Sequence, residues 1–69
     1  VGGAVAMIDV DMRADQILGV MQHNVGFCDV PHSLGRLTVG DVVTSAGYVF
    51  VVRGVVAHSR FDRLWLKRR

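Results

Sequence analysis

The stretch FDRLWLKRR, residues 61–69, decides the fold, because its side chains alternate in character as those of a β-strand do. The even positions give one face two leucines that a core can bury, Leu64 and Leu66. The odd positions give the opposite face rings and cations: Phe61, Arg63, Trp65, Lys67 and Arg69. This alternation predicts a strand that covers a core with one face and presents the other face to solvent.

The odd face combines aromatic rings with cations, the chemistry with which protein surfaces stack bases and neutralise phosphates. We therefore predict a non-enzymatic protein that binds nucleic acid, DNA or RNA, through this strand. The predicted contact residues are Arg60, Phe61, Arg63, Trp65, Lys67, Arg68 and Arg69, with Arg36 and Arg53 as an extension of the patch. A second interpretation buries Trp65 in the core, since large aromatic side chains are mostly buried, and leaves the cations as a solvated edge.

The rest of the chain is consistent with one domain over residues 1–69, with a flexible end at 1–3. Residues 4–10 are apolar and partly β-branched, which predicts a strand. Residues 12–24 follow Asp11, a suitable N-cap, and predict a helix because apolar side chains recur at helical spacing at Ala14, Ile17, Leu18 and Met21. Residues 25–67 are β-rich, and residues 68–69 are predicted to form a basic tail.

These elements predict an α+β fold. It is a small curved antiparallel β-sheet, or a partly open SH3-like barrel, of about five strands with one covering α-helix. The strands are short, and Gly40 and the Arg53–Gly54 pair are signals for a turn, a bend or a bulge. Because only one helix is predicted, its apolar stripe is expected to pack on the sheet.

The chain is apolar for its size, with 51% hydrophobic residues and a mean hydropathy of +0.36 over 69 residues. A small domain leaves much of its apolar surface exposed, so the surplus predicts a homo-oligomer, most simply a symmetric dimer. The alternative function is a self-associating protein-interaction or assembly module, with a protein partner and no nucleic-acid activity. No apolar run approaches the length of a membrane-spanning helix, about eighteen residues, so no membrane partner is expected.

The charges are unevenly distributed along the chain, although the net charge is only +2. Residues 1–35 carry four aspartates and one arginine, whereas residues 36–69 carry seven basic residues and two aspartates. Seven of the eight basic residues are arginines, which suit bidentate and stacked contacts better than lysine does. The second half is therefore the half expected to contact a polyanion.

The chain has a single cysteine, Cys28, so it cannot form an internal disulfide. Proteins without disulfides are typical of reducing compartments, so a cytoplasmic location is expected. His23, Cys28 and His32 could supply three metal ligands, with Asp29 or His58 as the fourth. Their spacing lacks the paired ligands of structural zinc sites, and we predict neither a metal nor another cofactor. A third interpretation is a small enzyme with an intersubunit Cys/His site that contains Cys28 and His58.

Overall fold

The computed structural model describes residues 4–69 as five strands, one α-helix and one short 3₁₀ turn. The flexible end predicted at residues 1–3 lies outside the described residues. In chain order the elements are β1 (Met7–Asp9), α1 (Ala14–His23), β2 (Gly26–Pro31), the 3₁₀ turn (His32–Leu34), β3 (Val42–Ser45), β4 (Tyr48–Ala57) and β5 (Phe61–Arg68). The strands and the helix confirm the predicted α+β fold.

The five strands form one curled sheet, a half-barrel, in the order β1-β3-β4-β5-β2. β3, β4 and β5 are consecutive antiparallel neighbours, and β2 pairs antiparallel with β5 at one edge. At the other edge β1 pairs parallel with β3, so the sheet is mixed rather than purely antiparallel. A parallel pair requires a long crossover connection, which the chain between β1 and β3 provides with α1 and β2.

The helix begins at Ala14, two residues later than predicted, and Asp11 is not its N-cap. Met12 is buried and its backbone N–H donates to Ser45 Oγ at 3.1 Å. This contact holds the chain in the core ahead of the helix, and Arg13 takes the N-cap position. A buried tertiary contact therefore overrides the local capping preference of an aspartate.

The helix ends before Asn24, which adopts the left-handed conformation with φ 58°. It packs on β2 through Val20, which is fully buried next to Gly26. Gly26 permits this close approach, because a Cβ at residue 26 would lie 2.6 Å from Val20 Cγ2. Val20 lies outside the predicted apolar stripe, which is only partly covered: its member Leu18 is 54% exposed.

The β-rich region differs from the prediction at two places and agrees with it at a third. The last strand continues to Arg68, so this residue belongs to the sheet and not to a tail. Residues 36–39, which lie within the predicted β-rich region, form no strand, although the side chain of Leu37 is buried in the core. At the third place, the Arg53–Gly54 signal is a β-bulge within one long strand, one of the predicted alternatives, with the register shift between Val52 and Gly54. Within residues 4–69 no helix is long and apolar enough to cross a membrane.

Candidate nucleic-acid interface

The side chains of β5 alternate between the core and solvent, as the sequence predicts. Asp62, Leu64 and Leu66 point inward and are at most 2% exposed. Trp65 points to the opposite face, here called the outer face: the face of the sheet that carries the odd-numbered side chains of β5. Its side chain is 40% exposed, so the interpretation that places this indole in the core is wrong.

Two cross-strand neighbours define the setting of Trp65. Phe27 on β2 lies opposite it in register, with the ring centroids 5.4 Å apart and the planes tilted by 58°. On the other side Trp65 pairs with Gly54, immediately after the bulge in β4. Because glycine has no side chain, β4 contributes no group at this position that would cover the indole. The bulge therefore helps to keep the ring accessible.

Arg63, which the sequence placed among the phosphate contacts, is already engaged by a carboxylate. Its Nε and Nη2 donate to the two carboxylate oxygens of Asp29 at 2.8 and 3.0 Å. The guanidinium also lies over the Phe27 ring, with Cζ 4.2 Å from the centroid. Hydrogen bonding to Arg63 lowers the pKa of Asp29, so the carboxylate stays ionised and neutralises the arginine at neutral pH. Phe27 and Asp29 are contacts of the site that the sequence reasoning missed.

Arg36, the predicted extension of the patch, is held by the inward side of β5. Its Nε and Nη2 donate to the Asp62 carboxylate at 3.1 and 3.2 Å. His32 Nε2 lies 3.0 Å from the same carboxylate. The bidentate contact with Arg36 is the main cause that lowers the pKa of Asp62. Arg36 therefore anchors the loop that follows β2 and is not brought together with Trp65.

The other five basic residues of the second half form no ion pair with a carboxylate of residues 4–69: Arg53, Arg60, Lys67, Arg68 and Arg69. Arg60 precedes Phe61, whose ring stacks on His58 with centroids 4.5 Å apart. Lys67 lies near the other end of β5, about 20 Å from Phe61 at roughly 3.3 Å per residue. Arg53 lies between these ends, in the bulge of β4. Lys67 and Arg69 therefore share the outer face with the exposed indole, whereas Arg68 pairs in register with the buried Phe50 and contacts Asn24 at the end of α1.

A depression of about 340 Å³ lies at the end of β5, where it meets the start of β4 and the end of α1. Its lining consists of Met21, Asn24, Tyr48, Val49 and the three cations Lys67, Arg68 and Arg69. Tyr48 is 44% exposed. The sequence reasoning missed this tyrosine, because only the pairing of β4 with β5 brings it near the basic residues.

The cysteine and the histidines are not brought together as a metal site. No group of three or more histidine, cysteine, aspartate or glutamate side chains within residues 4–69 is placed to hold a metal ion. Cys28 is 1% exposed, and burial raises the pKa of its thiol to about 11. A protonated, buried thiol is a poor nucleophile at neutral pH, so these features give no support to the Cys/His enzyme interpretation.

Comparisons with known protein families, with curated proteins and with solved structures find no match for this chain.

Proposed function

We propose that this protein binds single-stranded nucleic acid, DNA or RNA, through the outer face of β5. The observation that carries the proposal is the exposed indole of Trp65, which lies on a strand whose alternate side chains are buried. A half-exposed tryptophan between cations offers a ring for stacking and charges for the phosphates that flank a stacked base.

Single strands fit this surface better than duplexes do. Stacking on a protein side chain requires a base whose face is free, and in a duplex both faces are occupied by neighbouring bases. The unpaired cations on either side of Trp65 are suited to follow a phosphate backbone along β5. Stacking and charge neutralisation require no chemical step, so the proposed activity is that of a binding module.

The single tryptophan makes the proposal directly testable, because intrinsic fluorescence reports on the site alone. We expect a red-shifted emission that acrylamide quenches, and that changes when a single-stranded 12-mer is added. Trp65→Ala should weaken binding in fluorescence anisotropy by about 5- to 150-fold, the equivalent of roughly 1–3 kcal/mol for one stacked base. Trp65→Phe is the matched control and should retain most of the affinity. Wild-type affinity in a folded Trp65→Ala variant would refute the proposal.

A second candidate function is a self-associating interaction module. The observation that favours it is the apolar character of the outer face, where Met7, Val49 and Val56 are 69%, 36% and 46% exposed. Apolar side chains exposed on a sheet face can serve protein contacts, and a symmetric dimer is the simplest assembly. Sedimentation equilibrium between micromolar and millimolar protein tests it: a concentration-independent monomer mass would exclude this function for the chain alone.

The proposed location is the cytoplasm. The one cysteine of the chain is a free, buried thiol, and a domain of this size that dispenses with disulfides suits a reducing compartment.

A further inference from the structure

The depression at the end of β5 adjoins the Trp65 surface and shares Lys67 and Arg69 with it, but it has its own aromatic and apolar walls. Three consecutive cations, Lys67, Arg68 and Arg69, line it together with Tyr48 and Asn24. None of its lining residues is acidic. The three aspartates that neutralise other arginines, Asp15, Asp29 and Asp62, are not among them.

The backbone beneath these cations is fixed by the sheet. Arg68 pairs in register with the buried Phe50, and the N–H of Arg69 donates to the carbonyl oxygen of Val49 at 3.3 Å. Arg68 Nε also donates a long hydrogen bond of 3.5 Å to Asn24 Oδ1. The cations are therefore held at one end of the sheet and do not extend from a free tail.

An aromatic and apolar wall adjoins the cations. The ring of Tyr48 lies nearly parallel to the ring of the buried Phe50, at 18° with centroids 6.4 Å apart, and is 44% exposed. Tyr48 and Met21 also line a second depression of about 460 Å³ along α1, together with Ala14, Ile17 and Leu18. A ligand that contacts both the cations and this wall has an anionic group next to a flat ring whose faces can pack on apolar side chains. A nucleotide has this composition.

We propose that the depression is a subsite for the terminal nucleotide of a strand that carries a phosphate monoester at its end. The inference rests on the proposed nucleic-acid binding and adds the class of strand that is preferred. An internal phosphodiester carries one negative charge, whereas a phosphate monoester carries about −1.5 to −2 charges at pH 7. Three cations at one place match the larger charge. The volume of the depression, about 340 Å³, lies at the lower end of the range for small-molecule sites, roughly 300–1,000 Å³.

The test compares single-stranded 12-mers of one sequence with a phosphate at the 5′ end, a phosphate at the 3′ end, or hydroxyl groups at both ends. One of the phosphorylated strands should bind about fivefold more tightly than the hydroxyl strand, the gain expected for one well-placed exposed charge contact. The Arg68→Ala/Arg69→Ala variant should lose this preference. Arg13→Ala removes a cation that is paired with Asp15 elsewhere, and should keep it.

The role of Tyr48 is tested with small competitors. AMP should displace the phosphorylated strand from the subsite more effectively than adenosine or ribose 5-phosphate does, because only AMP has both the ring and the anion. Tyr48→Ala should remove the advantage of AMP over ribose 5-phosphate. Equal competition by AMP and ribose 5-phosphate with the wild-type protein would overturn the assignment of a nucleotide subsite.

The outcomes separate the subsite from the proposed function. Equal affinity for all three strands, with Trp65→Ala still weakening each of them, would overturn the subsite and leave single-strand binding in place. If no strand binds at 50 mM salt, both proposals fail.

Discussion

The ion pair between Arg63 and Asp29 leads to a prediction that sequence reasoning alone would not make. Binding of a cation to nucleic-acid phosphate releases counterions, so the slope of log K against log salt counts the cations that contact phosphate. Five unpaired cations in the second half of the chain, without Arg63, give a maximal slope of about −3.5 for single strands, at roughly −0.7 per contact. Affinity should then fall about a hundredfold between 50 and 200 mM salt.

Two substitutions should move this slope in opposite directions. Lys67→Ala removes an unpaired cation and should make the slope shallower by about 0.7, which corresponds to a 2.6-fold smaller loss of affinity over the same salt range. Asp29→Ala releases the guanidinium of Arg63, and should make the slope steeper by about 0.7 and tighten binding at 50 mM salt. An Asp29→Ala/Arg63→Ala double variant removes the pair together and should return to the wild-type slope.

The assay is fluorescence anisotropy of a labelled single-stranded 12-mer, repeated at five salt concentrations for each variant. Thermal unfolding by circular dichroism must show that each variant is folded, because Arg63 also stacks on Phe27. If Asp29→Ala leaves the slope unchanged, Arg63 is not restrained by its carboxylate in the way described. If Lys67→Ala leaves the slope unchanged, β5 does not contact phosphate at this position.

Three further predictions concern stability and reactivity. Gly19→Ala should stabilise the fold by about 1 kcal/mol and raise Tm by about 4–8 °C, because a Cβ there meets nothing within 4 Å. Gly26→Ala should instead lower Tm, since its Cβ would overlap the buried side chain of Val20. Differential scanning calorimetry of the two variants checks this pair of predictions. Tm shifts of the same sign in both variants would contradict the packing described. The lowered pKa of Asp62 means that its contacts stabilise the fold above about pH 4 and lose this effect as pH falls through the lowered pKa. Urea unfolding at pH 2–7 should therefore show that Asp62→Asn loses less of its free energy of unfolding in acid than the wild type does. Parallel profiles of this free energy against pH would show that the ion pair does not contribute to stability. The raised pKa of Cys28, about 11, predicts slow alkylation by iodoacetamide at pH 7 that accelerates in urea; rapid alkylation without denaturant would contradict its burial.

The features that sequence patterns predicted are those set by local periodicity. The alternation of β5 follows from side-chain direction in a strand, and the buried Leu64 and Leu66 with the exposed Trp65 agree with it. Gly54 marks a bulge because a residue without a side chain tolerates the irregular backbone. The single helix also follows from spacing, although its start does not, because the burial of Met12 decides where the chain begins to turn.

The features that could not be predicted depend on register between distant strands. The sequence shows Arg63 and Asp29 as separate charges, and only the pairing of β2 with β5 places them opposite each other. The contact of Arg36 with Asp62 depends in the same way on the path of a loop. These pairings decide which cations are available to a ligand, so the strand as a candidate surface could be predicted while its electrostatics could not.

The strand order has a consequence for how the molecule folds. The three central strands of the sheet, β3, β4 and β5, are consecutive in the chain and joined by short connections, so their contacts close with little loss of chain entropy. The edge strands β1 and β2 pair with β3 and β5, which are distant from them in sequence. We expect these two edge pairings to form after the central strands have paired. The proposed binding strand is thus expected to form early, together with the other central strands. Substitutions at the edges should then mainly accelerate unfolding, whereas core substitutions in β4 or β5 should slow folding itself.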